Sequence, residues 1–471
     1  MADVSLTGRP AQASLAAIPA LQTNVLAWIA ASAGMLLLLL APAIWNGFPL
    51  IFPDTGGYLE RPITGTLTMG RSALYGLFLY TGVPAAFWSN VILQAALTAW
   101  MIAMTLRALG LGEKPWLALG IVALLSVCTS LPWFAGQLMP DILFPCAVLA
   151  LYLLAFRMDG LAAWERGGLA AVIAVAIPSH MAAAGLCVGL LASLWLLARL
   201  TRELLPRPAL MLPTIAIVAG IALGPISNLA ITGKLAFTPG GESFLFGRLI
   251  EDGIVARYLA ERCPDPALRL CAYKAKLPDE ADDWLWGPSM FYTLGGWDGY
   301  AEEERAIIAD TLKRYPLMHL EKALGDTAQQ FLSYQTEVSL TDNEPTIEVL
   351  HARVPQLFMQ FMSARQQGDP IQVATLNILH VPTATLGLVG LIFILLARQR
   401  LRLDPPMTAF CLTVLLALVV NAAICGVFSH PVDRYQSRLV PLAPFAVALL
   451  IARRRCVARD VLPLGAAADS A

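Results

Sequence analysis

The chain has 471 residues, of which 57% are hydrophobic and 14% are charged, and its mean hydropathy is +0.65. A soluble protein would carry roughly 25% charged residues, so the composition excludes an ordinary soluble fold. The net charge of −1 argues against nucleic acid as a partner, because phosphate binding needs a basic surface.

The first apolar run follows a mixed N-terminal segment, residues 1–23, that carries one arginine. We interpret this run as an uncleaved first transmembrane helix, because it is as long as a full span. Eight stretches have the length and apolarity of single spans: 24–44, 86–106, 116–135, 141–157, 209–229, 376–397, 406–428 and 436–452.

Residues 168–198 form an apolar segment that is long for one span and short for two. Arg166 precedes this segment and Arg199 follows it. If both flanks face the cytoplasm, the chain crosses twice, as two short helices that turn within the sequence IPSHMAAAG. The predicted fold class is therefore an all-α polytopic membrane protein with about ten transmembrane helices.

The lysines and arginines of the short loops predict the orientation. One set of connections, which includes both termini, carries fifteen of these residues. The opposite set carries only Arg61, Arg71, Arg434 and Arg438. This bias predicts a multi-pass protein of a bacterial-type inner (plasma) membrane with both termini in the cytoplasm.

Composition also divides the chain into four parts. Residues 1–229 form an N-terminal membrane module with spans 1–7 and a first outer loop at 45–85. Residues 230–375 are rich in charge and too long for a plain loop, which predicts a mostly helical periplasmic domain between spans 7 and 8. Residues 376–452 form a C-terminal membrane module with spans 8–10, and 453–471 form a cytoplasmic tail.

A helical period runs through DGYAEEERAIIADTLKRY in the predicted periplasmic domain. Its apolar residues Ala306, Ile307, Ala309 and Leu312 would form the buried stripe of one helix. We therefore expect these four side chains to face the core of the domain.

Cys263 and Cys271 are the only cysteines in that domain, and the other six lie in or beside predicted spans. An isolated pair eight residues apart in an oxidising compartment indicates a disulfide bond. Two unrelated free thiols are the alternative.

Several ionisable residues fall at the predicted outer ends of spans, beside apolar sequence. They are Asp54 in PDTGGYL, Asp141 in LMPDILF, His180 in IPSH, and His430, Asp433 and Arg434 in FSHPVDRYQSR. Ionisable groups near membrane depth are costly unless they are paired or functional, so each is a candidate site residue. Their convergence on one face of the membrane predicts a common site.

Each of these residues also has a simpler explanation. A Pro-Asp pair, as at 53–54 and 140–141, can start a helix. His180 could be a hydrogen-bonded turn residue, and Arg434 could extend its side chain to the membrane interface. Independent turn residues need not all be ionisable and lie on one side, however, and this favours the functional interpretation.

The chemistry of such a face suits transfer to a hydroxyl group. A carboxylate can act as a general base towards an incoming hydroxyl, and an arginine can bind phosphate bidentately. Five aromatic residues of the predicted domain could stack on sugar rings or pack in the domain core: Trp284, Trp286, Tyr292, Trp297 and Tyr300.

Three stretches carry a family resemblance: PDTGGYL followed by RSALYGLFLYTGVP, then LMPDILF, and finally DRYQSRLVPLAPFAVALL. They are similar to segments of the type-C (GT-C) superfamily of integral-membrane glycosyltransferases. Those enzymes transfer a sugar from a polyprenyl-phosphate carrier to an acceptor on the outer face. The resemblance covers the membrane half in arrangement rather than in detailed sequence.

The resemblance implies a role for each matching residue. Asp54 would be the catalytic base or would orient the acceptor, and Asp141 would help to hold the donor or a divalent metal such as Mg²⁺ or Mn²⁺. Arg434 would contact the donor phosphate, with Arg71 assisting. The remaining candidates for donor or substrate binding are Tyr58, His180, His430 and Asp433. The implied partners are a lipid-linked sugar donor, membrane lipids and an envelope acceptor of unknown class.

The sequence departs from the family pattern in the first outer loop. Many members carry paired acidic residues there, whereas Asp54 stands alone and Glu60 follows six positions later. Two other functions stay open, namely a transporter or flippase of an envelope lipid and a non-catalytic envelope-assembly protein. The sequence has no G-x-S-x-G, H-E-x-x-H, Walker-type or G-x-G-x-x-G motif, which argues against nucleotide-driven chemistry.

Overall fold

The computed structural model describes residues 17–66, 70–201, 204–237, 240–338, 344–368 and 372–461. Within these ranges every regular element is helical, in agreement with the predicted all-α class. An isolated parallel bridge between Leu50 and Gln137 is the strand-like pairing found in these ranges.

Ten α-helices form the N-terminal part of the chain: α1 (Ala17–Asn46), α2 (Thr55–Thr64), α3 (Ala73–Thr81), α4 (Trp88–Ala108), α5 (Pro115–Cys128), α6 (Leu131–Ala135), α7 (Leu143–Phe156), α8 (Ala163–Ser179), α9 (Met181–Leu200) and α10 (Met211–Thr232). Nine follow before the last spans: α11 (Gly241–Glu251), α12 (Ile254–Arg262), α13 (Ala281–Leu285), α14 (Gly296–Gly299), α15 (Ala301–Arg314), α16 (Pro316–Leu332), α17 (Glu344–Arg353), α18 (Pro355–Met362) and α19 (Arg365–Gly368). The chain then forms α20 (Val373–Leu396), α21 (Pro405–Phe428), α22 (Asp433–Ser437) and α23 (Leu442–Val461).

Among the residues that the structure describes, seven helical stretches are long and apolar enough to cross a membrane: Asn24–Asn46 in α1, α4, α9, α10, α20, α21, and Asp433–Cys456 in α22 and α23. Large apolar side chains such as Ile29, Leu37 and Leu386 are exposed on these helices, as lipid-facing side chains are. The protein is therefore a multi-pass membrane protein. The count of ten spans stays a prediction, because α5 and α7 are apolar but shorter.

The predicted span at 116–135 is not one continuous helix in the structure. Helix α5 ends at Cys128, and the short α6 begins at Leu131. Pro132 has no N–H to continue the hydrogen-bond ladder of α5, and the Ser130 hydroxyl donates to the carbonyl oxygen of Ser437 at 2.5 Å. The segment 168–198, by contrast, divides at His180 as predicted, where Nδ1 of His180 accepts from the Ala182 N–H at 3.3 Å.

Residues 240–315, here named the inserted domain, have a hydrophobic core of their own. Phe246, Trp284, Tyr300 and Ile307 are fully buried in it. A disulfide bond joins Cys263 to Cys271 at the end of α12. This core is separate from the larger hydrophobic cluster of the membrane helices.

The predicted buried face of α15 is wrong apart from Ile307. Ala306, Ala309 and Leu312 are exposed, whereas Glu304 and Thr311 are buried. The buried Glu304 carboxylate accepts a hydrogen bond from the Ser243 hydroxyl at 2.5 Å, and burial raises the pKa of Glu304 to about 7. A search for an apolar stripe misses this face, because its polar residues are buried with hydrogen-bond partners.

The segment predicted as one domain, 230–375, is divided in the structure. Val338, Leu350 and Phe361 are buried in the hydrophobic cluster of the membrane helices rather than in the inserted domain. Helix α17 packs against α2, directly beside Asp54. The second half of the segment predicted as one domain therefore packs with the membrane helices, beside the first outer loop that carries Asp54.

Four buried amide side chains satisfy the irregular backbone that carries Asp54 and Asp141: Asn46, Gln94, Gln137 and Gln366. The Gln366 amide accepts from the N–H of Ile51 and donates to its C=O, both at 3.1 Å. Gln94 donates to the carbonyl oxygen of Gln137 at 2.8 Å. Buried backbone N–H and C=O groups need hydrogen-bond partners. Because these four amides supply such partners, the chain can follow a non-helical path in the buried segments beside Asp54 and Asp141.

Candidate functional site

Asp54 occupies the position directly before α2, but its side chain does not cap that helix. Its carboxylate is paired instead with the guanidinium groups of Arg71 and Arg434. The Asp54 Oδ2 to Arg434 Nη1 distance is 3.5 Å. The helix-start explanation of the Pro-Asp pair therefore accounts for the position of Asp54 and leaves its carboxylate for another role.

Asp141 is fully buried between two arginines. Its carboxylate accepts from Arg434 Nε at 3.2 Å and Nη2 at 2.8 Å, and from Arg438 Nη1 at 3.0 Å. The Arg438 guanidinium lies over the ring of Phe144, 3.4 Å from its centre, and the Arg434 guanidinium lies 4.0 Å from the centre of the Phe52 ring. Bidentate pairing and ring stacking hold both arginines in one orientation.

The loops that carry the two aspartates are fastened to each other. The Thr55 hydroxyl accepts from the Phe52 N–H at 2.9 Å and donates to the carbonyl oxygen of Leu138 at 3.2 Å. On the other side of α2, the Thr346 hydroxyl accepts from the Gly56 N–H at 2.8 Å. A Cβ at Gly56 would lie 2.8 Å from the Thr346 Cα, so only glycine permits this contact.

Two cavities adjoin at Asp54. The helix-side cavity, of about 310 Å³, is lined by Met181 and Gly185 of α9 and by Ile424 and Phe428 of α21. The domain-side cavity, of about 450 Å³, is lined by residues of the inserted domain and of the loop after α21: Asp282, Trp286, His430 and Val432. Six residues line both cavities: Asp54, Arg71, Phe244, Ser429, Arg434 and Tyr435. Both volumes are in the range of small-molecule sites.

The two cavities differ in the charge of their walls. In the helix-side cavity, Arg71 and Arg434 face the single carboxylate of Asp54, which leaves one positive charge when His180 is neutral. The domain-side wall adds the carboxylates of Asp282 and Glu337 to the same three residues, so it carries one negative charge when His430 is neutral. The helix-side cavity therefore suits an anionic group, and the domain-side cavity suits a neutral group with hydroxyls.

Tyr58 and His180, both predicted site residues, line the helix-side cavity. The Tyr58 ring meets the Tyr75 ring edge to face, with 5.2 Å between centres. Burial raises the pKa of the Tyr58 hydroxyl far above its usual value, and the nearby Arg71 offsets this only in part. Tyr58 is thus a neutral hydrogen-bond donor at the cavity wall.

His430 and Asp433 lie in the same loop but have different surroundings. His430 lines the domain-side cavity, and its Nε2 lies 3.5 Å from Oδ2 of Asp282. Burial lowers the pKa of His430, but the hydrogen bond and charge of Asp282 outweigh this, so the net pKa is raised. Asp433 lines neither cavity, and its carboxylate accepts from the Gln335 N–H at 2.8 Å.

The aromatic residues divide between core and cavity. Trp284 and Tyr300 are fully buried in the inserted domain, and Tyr292 is exposed. Trp286 is half exposed and lines the domain-side cavity, where the Arg71 guanidinium lies 5.8 Å from its ring centre. Trp297 packs against Trp286, with 5.5 Å between ring centres. Trp286 is therefore the ring of this group that a sugar in the cavity could stack on.

The residues around Asp54 and Asp141 do not fit a divalent cation. The Arg434 guanidinium lies between the two carboxylates, where a shared cation would have to bind. Within the ranges that the structure describes, no three His, Cys, Asp or Glu side chains come together as a ligand group. A Mg²⁺ or Mn²⁺ ion, which the family resemblance implies, therefore does not fit between these two carboxylates.

Three residues that the structure brings to the site are not predicted as site residues from the sequence: Arg438, Glu337 and Asp282. Glu337 lines the domain-side cavity and accepts from the Arg434 N–H at 3.1 Å. Arg438 does have a sequence signal, because it follows Arg434 by four residues at the start of an apolar run, where an unpaired charge is costly. Nothing local marks Glu337 or Asp282.

The structure thus places most of the predicted residues around one pair of cavities. Asp54, Tyr58, Arg71, His180 and Arg434 line the helix-side cavity. His430 lines the domain-side cavity, Asp141 lies behind Arg434, and Asp433 points elsewhere. No protein-family model matches the sequence, and no curated protein matches it either.

Proposed function

We propose that this protein is a membrane glycosyltransferase that moves a sugar from a lipid-phosphate carrier to an envelope acceptor. The observation that carries the proposal is the position of Asp54. Its carboxylate lies where the two cavities adjoin, beside the guanidinium groups of Arg71 and Arg434. A base at such a junction can reach a group in either cavity.

The wall charges assign one substrate to each cavity. The lipid phosphate enters the helix-side cavity, because Arg71 and Arg434 supply positive charge there and Ile424 and Phe428 supply apolar surface. The acceptor hydroxyl enters the domain-side cavity beside Trp286 and Glu337. This assignment puts the lipid next to the membrane helices and the acceptor next to the inserted domain.

In the proposed reaction, the acceptor oxygen forms a bond to C1 of the sugar while the bond between C1 and the phosphate oxygen breaks. The phosphate leaves with the bonding electron pair on its lipid, and Asp54 takes the hydroxyl proton. Arg434 and Arg71 stabilise the charge that develops on the leaving phosphate. Asp141 orients Arg434 from behind and does not touch the substrate.

The proposal places the site on the periplasmic side of a bacterial-type inner membrane. The short loops on the opposite side, with the termini, carry fifteen lysines and arginines, against four in the short loops on the side of the site, and short cytoplasmic loops carry the positive excess. Both termini and the C-terminal arginines then face the cytoplasm.

The test is the variant Asp54→Asn in cells that depend on this protein, with the envelope glycan or lipid product measured per molecule of folded protein. We expect a loss of about 10²–10⁴-fold, the usual contribution of a general base. The matched control is Glu60→Gln, which removes a carboxylate six residues away whose partner is Arg353 at 3.2 Å. The control is expected to keep its activity.

Two outcomes would overturn the proposal. Full activity of Asp54→Asn at normal protein levels would remove Asp54 from the mechanism. Movement of an envelope lipid across reconstituted vesicles, with no covalent product, would instead identify a transporter or flippase.

A further inference from the structure

Helix α16 of residues Pro316–Leu332 carries its apolar face outwards. Leu317, Leu320 and Leu324 are 79%, 56% and 64% exposed, respectively. They follow one another at intervals of three and four residues, so they lie on one side of the helix. The polar residues Asp326 and Gln330 are buried on the opposite side.

The polar face of α16 is fastened to the protein. Gln330 donates to the carbonyl oxygen of Val432 at 2.8 Å, and its amide oxygen accepts from the Val432 N–H at 3.0 Å. Asp326 pairs with Arg248 at 2.5 Å. A helix with its polar side inside and its leucines outside has the reverse of the pattern expected next to water.

Contacts with two membrane helices indicate where α16 lies along the direction in which those helices cross the membrane. A Cβ at Gly426 of α21 would lie 2.7 Å from the carbonyl oxygen of Asp326, so the two helices touch near the end of α21. Just beyond α16, the Tyr334 hydroxyl lies 2.9 Å from Oγ1 of Thr385. Thr385 is twelve residues into α20, which is about 18 Å along that helix. The C-terminal end of α16 is therefore beside apolar spans rather than above them.

The neighbouring membrane helix α21 also exposes a large apolar side chain close to α16. Phe428 at the end of α21 is 55% exposed, only two residues from the contact between Gly426 and α16. Soluble proteins rarely expose a contiguous apolar patch of this kind without a partner.

We propose that the outward face of α16 lies in the lipid leaflet on the side of the inserted domain, with its leucines against acyl chains. The helix then anchors the inserted domain to the bilayer, as amphipathic interfacial helices do. Phe428 also lines the helix-side cavity, so the membrane helix that α16 contacts forms part of the wall of that cavity. This inference does not depend on the proposed transferase activity.

The experiment uses nitroxide spin labels on the full chain, in a background without the six free cysteines, reconstituted in phosphatidylethanolamine–phosphatidylglycerol nanodiscs. Leu320→Cys and Leu324→Cys report on α16. Leu312→Cys is the matched control, because Leu312 is an exposed leucine of α15 in the inserted domain. Collision rates are measured with oxygen, which concentrates in lipid, and with a water-soluble nickel chelate.

We expect oxygen collisions to dominate at Leu320 and Leu324, and nickel collisions to dominate at Leu312. Nickel accessibility at Leu320 and Leu324 equal to that at Leu312 would place the face in water and overturn the proposal. Low accessibility to both reagents would mean that protein covers the face, which overturns it as well. If either labelled variant fails to fold, Leu317→Cys supplies the same measurement from the start of the helix.

Discussion

Two buried arginines lie among carboxylates in this molecule, and their surroundings differ. Arg434 contacts Asp141 and Asp54 and lines both cavities. Arg248 contacts Glu251 at 2.7 Å, Asp252 at 2.6 Å and Asp326 at 2.5 Å, and it lines neither cavity.

The balance of charge separates the two clusters further. Around Arg248, three carboxylates share one cation, and the contacts join α11 to α16. Around Arg434, the ion pairs connect three arginines to two aspartates. The surplus is therefore positive in the Arg434 cluster, which faces the helix-side cavity, and negative in the Arg248 cluster, which lines neither cavity. Buried charge alone does not mark a site, but access combined with an unmatched charge does.

Among the variants that compare the two clusters, the removal of Arg434 is expected to have the largest effect. Arg434→Gln is expected to lower product formation by about 10²–10³-fold, as the loss of one electrostatic stabiliser does. Arg248→Gln is expected to keep product formation per folded molecule, because its cluster only holds helices together. Both are measured as product in cells, divided by the amount of monodisperse protein recovered. Equal losses would abolish the distinction between the clusters.

A second experiment compares the aspartates. Asp141→Asn leaves the buried Arg438 without a negatively charged partner and leaves Arg434 with Asp54 alone, and breaking a buried pair in this way costs about 3–5 kcal/mol of unfolding free energy. Asp252→Asn is expected to cost much less, because Arg248 keeps Glu251 and Asp326. Unfolding in mixed micelles measures both variants. A loss for Asp252→Asn as large as that for Asp141→Asn would show that the Arg248 cluster has no surplus.

The smallest expected effect is a dependence of stability on pH. Burial raises the pKa of Asp252 to about 6, with Arg248 opposing the shift and Asp326 adding to it. A raised folded-state pKa favours the protonated form, so the stability contribution is full below the ordinary aspartate pKa of about 4 and is lost as pH rises through about 6. Asp252→Asn should reduce the fall in thermal stability of the full chain between pH 4 and pH 7, while the buried Glu304, whose pKa is raised to about 7, keeps part of that fall. An unchanged slope would contradict the assigned pKa.

The sequence predicts well what depends on composition and on the order of the spans. The all-α class, the turn at His180 and the shared location of Asp54 and Arg434 follow from apolar length and from the positions of charges between spans. The pairing of Arg434 with Asp141 joins residues 293 positions apart, and no local pattern specifies such a contact. The same reason explains why Glu337 is missed.

The face of α15, which is predicted wrongly, and the outward leucines of α16 have a common physical cause. The face of α15 and the outward leucines of α16 reverse the usual rule that apolar residues lie inside. In α15, hydrogen-bond partners from other segments make the burial of Glu304 possible. In α16, the polar side chains are buried against the rest of the protein, and we propose that the apolar face lies against lipid. Such reversals depend on what lies next to a helix, which the sequence of the helix alone does not contain.

The long separation between Asp141 and Arg434 has a consequence for biosynthesis. At about 5–20 residues per second, a ribosome needs roughly 15–60 s to extend the chain by the 293 positions from Asp141 to Arg434. During that interval Asp54 has only Arg71 as a partner, and Asp141 has neither Arg434 nor Arg438. The Arg248 cluster, whose members lie within residues 248–326, can close much earlier. The junction of the two cavities is therefore completed only when the final span enters the bilayer, so a chain that is truncated before Arg434 would hold a finished inserted domain and an unfinished site.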